Sequence, residues 1–213
     1  MVRVVMIKPD AKVNLFMGIE RNAVAREAAR LLYKGIAEEY ITAKSMASAN
    51  LGVNANPSNF EVAEELDMLS DELEGDDREK RLEEMRQTAK ELMNTLREFQ
   101  PRLIGSVWRG TARRDSDVDI IVFSSSLREV EDKLQLYKVL EKGEVTFKGG
   151  VRAYRFKLSS EYPLEVIVRR PDEYHPERCD IYGDLKTGLT LSVLERLLQV
   201  NPQRKFIPRK RTR

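Results

Sequence analysis

The chain of 213 residues has one cysteine, one histidine and one tryptophan. A single cysteine excludes an intramolecular disulfide framework and a cysteine-rich zinc site. A single histidine excludes a metal centre built from several imidazoles and ties any histidine-dependent chemistry to His175. No apolar run approaches the ~18 residues of a membrane span. The N-terminus, MVRVVMIKPDAK, has neither a long apolar stretch nor a small-residue cleavage site, so no signal peptide is expected. An excess of one charge is lacking too. Lys and Arg number 37 and Asp and Glu 35, which leaves +2. That balance argues against a molecule that binds polyanions over its whole surface, while a local basic patch stays open. Hydrophobic residues make up 41% and charged residues 34%, enough for a buried core under a densely charged surface. A soluble, cytoplasmic protein of one domain or two small ones is expected.

What is present falls into two halves. Residues 2–7, VRVVMI, predict a strand stopped before Pro9. From about Asn14 to Asn50 the chain is Ala-rich with helical spacing, and Gly35 is placed to divide it into two helices. A loop at 52–59 leads to Ser58 and Glu61, a capping-box pair opening a helix expected to end near Gly75. Asp76 or Asp77 can cap a further helix to about Phe99, which Pro101 forbids from continuing. Residues 61–84 hold twelve acids against three bases, a pattern that fits a solvated helical face better than a docking surface for a basic partner. After Pro101 come a short apolar run at Leu103-Ile104 and a strong strand at 118–123, apolar on both sides. Ser126 and Glu129 predict a capped helix to about Leu140. Gly149-Gly150 between two strand-like runs predicts a hairpin, and 164–168 a further strand. Residues 171–189 read as irregular, and Thr190 as the cap of a last helix to about Val200. The organisation is a mainly helical region at 1–75, an α/β core at 76–185, and a C-terminal helix with a basic tail at 186–213.

Chemistry concentrates in LIGSVWRGTARRDSDVDIIVF, residues 103–123. Gly105 has no Cβ, so the backbone there can approach a ligand closely. Amide groups at the start of a following helical turn favour phosphate, Ser106 adds a hydroxyl, and Arg109, Arg113 and Arg114 are close by in sequence. Asp117 and Asp119 are two residues apart, so on a strand their carboxylates project side by side. Two adjacent carboxylates repel unless a cation neutralises them, and hard oxygen ligands beside substrate phosphates suit Mg²⁺. Asp115 competes for the pair, but its register puts it before the strand. Each piece is weak alone; the ordered combination ahead of an apolar strand is far more specific.

The segment GSVWRGTARRDSDVDIIV resembles the signature of the DNA polymerase beta-like nucleotidyltransferase superfamily: an apolar pair, Gly-Ser, a spacer, then Asp-x-Asp among apolar residues. The spacing, with Gly110 and Ser116-Asp117, is most similar to the minimal nucleotidyltransferases, a group that includes antitoxin-type members. It is also similar to archaeal CCA-adding enzymes and oligoadenylate synthetases. The tight match covers about 20 residues and leaves 1–75 unexplained. The resemblance implies an α+β fold, a small mixed sheet with helices on one face, preceded here by the helical N-terminal region. It implies a third carboxylate on a neighbouring strand, for which Glu165 in YPLEVIVRRP is the candidate, although the family more often has Asp. It implies a metal-dependent nucleotidyltransferase. Asp117, Asp119 and Glu165 would hold Mg²⁺ or Mn²⁺, and Gly105 and Ser106, with Arg109 and Ser116 beside them, would bind an NTP, expected to be ATP. Glu165 would act as metal ligand, general base or both. RNA is the favoured acceptor, with a protein side chain or a small molecule as alternatives. The rival reading is a non-catalytic nucleotide sensor or RNA-binding protein on the same fold.

Other residues carry less. His175 in DEYHPERCD reads as a surface residue and Cys179 as structural. Trp108 can stack on a base or sit in the core. Arg169 and Arg170 can steer an acceptor phosphate or simply end a strand. The tail after Val200 has six basic residues and no acid, and can bind RNA phosphates through counterion release or bind nothing.

Overall fold

The computed structural model describes residues 11–147, 149–173 and 177–208. The strand expected at 2–7, His175 and tail residues 209–213 lie outside the described residues. Two compact units emerge. One reaches Leu73 and takes in Asp180–Tyr182; the other comprises Glu74–Cys179 and the chain from Gly183 onward.

The first unit contains α1 (Ala11–Tyr33), α2 (Tyr40–Leu51) and the start of α3 (Asn59–Thr95). The Ala-rich run is divided at the turn containing Gly35. Its core is built from Val24, Ala25, Ala28, Ala29, Leu31 and Leu32 with Ala43, Ala47, Val62 and Leu66. Alanine at so many contact positions allows close helix approach and loses no side-chain entropy on burial. The capping box at the start of α3 closes in both directions. The Ser58 hydroxyl accepts from the Glu61 amide at 3.2 Å, and the Glu61 carboxylate accepts from the Ser58 amide at 2.7 Å.

α3 is broken at Gly75, whose φ of 52° and ψ of −140° are non-helical. Past this break, Leu82, Met85, Ala89, Leu92, Met93 and Leu96 form a buried stripe at helical spacing. The stripe packs on one face of a six-stranded mixed sheet. Its strands are β1 (Arg102–Ile104), β2 (Val118–Phe123), β3 (Lys138–Thr146), β4 (Arg152–Ser159), β5 (Leu164–Arg169) and β6 (Leu189–Thr190), in the order β3-β4-β5-β2-β1-β6. β2 and β5 run parallel and all other neighbours antiparallel. The helices α4 (Gly105–Arg109), α5 (Leu127–Leu134) and α6 (Leu191–Val200) add Val107, Trp108, Val130, Leu134, Leu194 and Leu197 to the same core. The sheet contributes alternate residues to it: Val118, Ile120 and Val122 from β2, Leu164, Val166 and Val168 from β5. The intervening residues face the other way. There Ile121, Ala153 and Ile167, with Ile104, Phe123 and Val145 beside them, form a smaller cluster supplied by strands alone.

The fold is therefore the α+β arrangement expected, with helices on one sheet face, and three local expectations change. The helix from Ser126 stops at Leu134 instead of about Leu140, because Lys138–Leu140 are taken into β3 by pairing with β4. The hairpin arm is longer than the sequence suggests for the same reason. The stretch 171–189, read as irregular, ends in β6, an edge strand two residues long held only by β1. No helix among the described residues is long and apolar enough to cross a membrane.

Candidate active site

The sheet alternation that buries Val118 and Ile120 forces Asp119, between them, onto the opposite face. Parallel pairing puts Glu165 of β5 directly beside it, and antiparallel pairing puts Ile104 of β1 on its other side. Asp117 lies just before β2 and is exposed. Hydrogen bonds from the Val118 amide to the Pro163 carbonyl at 2.8 Å, and from the Ser124 amide to the Arg169 carbonyl at 3.0 Å, continue the β2–β5 ladder past both its ends. The strands bearing the acids are held rigidly for that reason.

Chain direction changes at Gly105. Its φ of +71° is left-handed, and an added Cβ would stand 2.0 Å from the Asp119 Oδ2. Only glycine fits there, and its backbone lies against the carboxylate. α4 follows, and its Ser106 carbonyl accepts from the amides of Gly110 and, at 3.0 Å, Thr111. The next turn is closed by Ser116, whose hydroxyl accepts from the Arg113 amide at 2.9 Å.

Electrostatics mark the acids out. Burial, then repulsion from Asp117 and Glu165, pushes the Asp119 carboxyl up to about 8. No cation or hydrogen-bond donor among the described residues lowers it. Glu165 is also raised, first by burial; Arg155 and Lys157 oppose the rise while Asp117 and Glu141 add to it. Among the described residues, no three acidic, histidine or cysteine side chains are gathered as tightly as ligands around one ion. The donor chemistry nevertheless fits a hard divalent cation: carboxylate oxygens of like charge, one of them partly buried and uncompensated.

Asp117, Asp119, Glu165 and Gly105 thus share one end of the sheet, with Ser106 next in the chain. Arg109 and Ser116 have other engagements. The Arg109 guanidinium is buried, donates to both carboxylate oxygens of Asp184 at 2.7 Å and to the Phe206 carbonyl at 2.9 Å, and lies 4.0 Å from the Trp108 ring centre. Trp108 itself is a core residue. Sequence reasoning missed Arg86, fully buried in the α3 stripe, whose guanidinium donates to the carbonyls of Val107, Trp108, Pro202 and Arg204. Burial pushes it down to about 10. The signal was available: an arginine at an apolar position of the 82–86–89–93–96 spacing. Also missed were Arg155, Lys157 and Glu141, whose relation to Glu165 depends on strand register and not on sequence spacing.

Residues 82–177 match the family model described as a nucleotidyltransferase domain. No curated protein sequence is significantly similar to the chain. Among solved structures, a cytoplasmic RNA terminal U-transferase is 19% identical with a TM-score of 0.33, the alignment covering 42% of this chain and 29% of that one. The GLD-2/RNP-8 complex is 16% identical with a TM-score of 0.30, covering 44% and 33% respectively. The matched part is a third or less of those longer chains.

Proposed function

We propose that the chain, whose residues 82–177 match the model of a nucleotidyltransferase domain, transfers a nucleoside monophosphate from an NTP to a hydroxyl acceptor and releases pyrophosphate. The observation that carries this reading is the contact of Gly105 with Asp119, which brings a side-chain-free backbone turn against a buried, uncompensated carboxylate. The missing side chain lets the acid lie against the turn, and the Ser106 hydroxyl and local amides are donors for phosphate oxygens there.

Asp117, Asp119 and Glu165 would hold Mg²⁺ or Mn²⁺, which supplies charge neutralisation and Lewis-acid activation when bound. The chain's own part is positional. Gly105 and Ser106 hold the β- and γ-phosphates on the β1 side of Asp119. Glu165 lies on the β5 side and takes the proton of the attacking hydroxyl. The acceptor oxygen forms a bond to the α-phosphorus as the bond from that phosphorus to the bridging oxygen breaks, and the electron pair leaves with pyrophosphate. Neither His175 nor Cys179 is needed. RNA is the acceptor we favour, supported by the basic C-terminal tail.

The test is incubation of the full chain with labelled NTPs, Mg²⁺ or Mn²⁺, and mixed cellular RNA and protein. Label transfer that disappears in Asp117→Ala and Asp119→Ala is the expected result. NTP binding with no transfer to any acceptor, in either metal, would replace the enzyme with a nucleotide sensor.

A further inference from the structure

Strand register lines up five residues across the face that carries the acids: Ile104 of β1, Asp119 of β2, Glu165 of β5, Lys157 of β4 and Glu141 of β3. Directly paired residues project to the same side of a sheet. The row therefore reads apolar, acid, acid, base, acid. Arg155, two residues along β4, shares the face and approaches Glu165, with its Nη1 3.8 Å from the Glu165 Oε2. Glu141 accepts from both cations, at 2.8 Å from the Arg155 Nη2 and 3.2 Å from the Lys157 Nζ.

We propose that Arg155 and Lys157 are the binding site for phosphates of a single-stranded nucleic-acid acceptor, and that Glu141 occupies this site until the strand displaces it. The inference rests on the nucleotidyl-transfer reading. In an in-line displacement the entering and leaving oxygens lie on opposite sides of the phosphorus. Gly105 and Ser106 sit on the β1 side of Asp119, so the leaving pyrophosphate belongs there. The entering hydroxyl then comes from the β5 side, where Glu165 stands, and β4 is the next strand outward. An acceptor whose end reaches Glu165 has its preceding phosphates over β4. Arg155 and Lys157 are about 6.6 Å apart along that strand, so they can meet neighbouring phosphates of an extended chain. A guanidinium binds phosphate through two parallel hydrogen bonds and an ammonium as a point charge.

The arrangement contributes little as structure. Glu141 is more than half exposed, and such surface pairs add about 0–1 kcal/mol. A phosphodiester can therefore exchange for the Glu141 carboxylate at low cost.

The test measures binding of the full chain to a single-stranded oligoribonucleotide ending in a 3′-deoxynucleotide, by fluorescence anisotropy with Mg²⁺ over a range of salt. Such a probe binds but cannot react. Arg155→Ala with Lys157→Ala is expected to weaken binding about tenfold, as loss of charged hydrogen bonds does, and to flatten the salt slope by about 1.4, two single-strand phosphate contacts. Glu141→Gln is expected to tighten binding several-fold, a change that misfolding cannot imitate. Oligonucleotide affinity and salt slope that stay at wild-type values in both variants would overturn the proposal. So would a wild-type chain that binds no oligonucleotide, or a double variant that loses affinity for a non-hydrolysable NTP while keeping the oligonucleotide. Absence of nucleotidyl transfer with these binding effects intact would instead count against the enzymatic reading alone.

Discussion

Gly105 and Asp119 occupy adjoining space so closely that a Cβ on the first would lie 2.0 Å from the Oδ2 of the second. The two residues come from antiparallel neighbours, β1 running into Gly105 and β2 carrying Asp119 beside Ile104. The turn proposed to hold phosphate and the carboxylate proposed to hold a metal are thereby placed side by side by the pairing of their strands.

Gly105→Ala should separate them. The new methyl group must push the Asp119 carboxylate aside, in a backbone conformation that costs an L-residue about 1–2 kcal/mol. A displacement near 1 Å at a reacting centre lowers turnover by about 100-fold. Steady-state kinetics should therefore show a fall in kcat much larger than the modest drop in thermal stability. An alanine variant with wild-type turnover would mean that this turn does not hold the reacting phosphates.

Asp119→Asn should remove activity and yet stabilise the metal-free protein. The native carboxylate is partly buried and is repelled by Asp117 and Glu165, so a neutral amide of the same shape relieves repulsion. A gain of about 1 kcal/mol corresponds to about 2–4 °C in a chain of this size. Calorimetry with and without MgCl₂ checks it. Mg²⁺ should raise the melting temperature of the wild type and leave the variant unmoved, since a ligand stabilises only the state it binds.

The helical unit offers a pH test independent of the active site. Hydrogen bonds from Arg21, then those from Ser58, pull the Glu61 carboxyl down to about 2 from its ordinary 4.5. A depressed acid contributes stability that is complete above its unfolded value and is lost as pH falls through its folded one. The Arg21 side chain is 44% exposed, and screening reduces the contribution to about 1 kcal/mol. Glu61→Gln should therefore melt earlier than wild type at pH 7, and the gap should close between about pH 4.5 and pH 2. A gap that persists at pH 2 would assign the effect to the cap geometry and not to the charge.

Features with a local physical signal were legible in the sequence. The capping box of Ser58 and Glu61, the break at Gly75, the strand at 118–123 and the Gly149-Gly150 hairpin all follow from short-range chemistry, and each is in the structure. Gly105 and Asp119 were legible because fifteen residues of chain carry both. What was not legible depends on distant pairing. Lys138–Leu140 has helical spacing but is drawn into β3 by β4, and Leu189–Thr190 is a strand only because β1 is exposed to it. Lys157 beside Glu165 is a fact of register, invisible until β4 and β5 are aligned. Arg109 shows the limit most plainly: it lies three residues after Ser106, yet its guanidinium is turned to Asp184, 75 residues away.

Arg86 provides the last test, because its one guanidinium ties α3 to both α4 and the C-terminal segment. From the buried stripe of α3 it donates at 3.1 Å to the carbonyls of both Val107 and Trp108 in α4, and also to those of Pro202 and Arg204. The C-terminal segment is held by this clasp against the turn after α4, where the Phe206 amide donates to the Arg109 carbonyl at 2.8 Å. Arg86→Leu keeps much of the volume but leaves four carbonyls to find other donors. A buried acceptor left without a donor costs about 1–3 kcal/mol. Limited proteolysis should then cut the variant after Val200 under conditions in which the wild type stays intact, and the cut should precede loss of helical signal. Because α4 begins at Gly105, the same variant should lose affinity for NTP before it unfolds globally. A variant that keeps its C-terminal segment protected would show that the clasp is redundant, and that the Arg109–Phe206 hydrogen bonds with the packing of Leu194 and Leu197 secure this end of the chain.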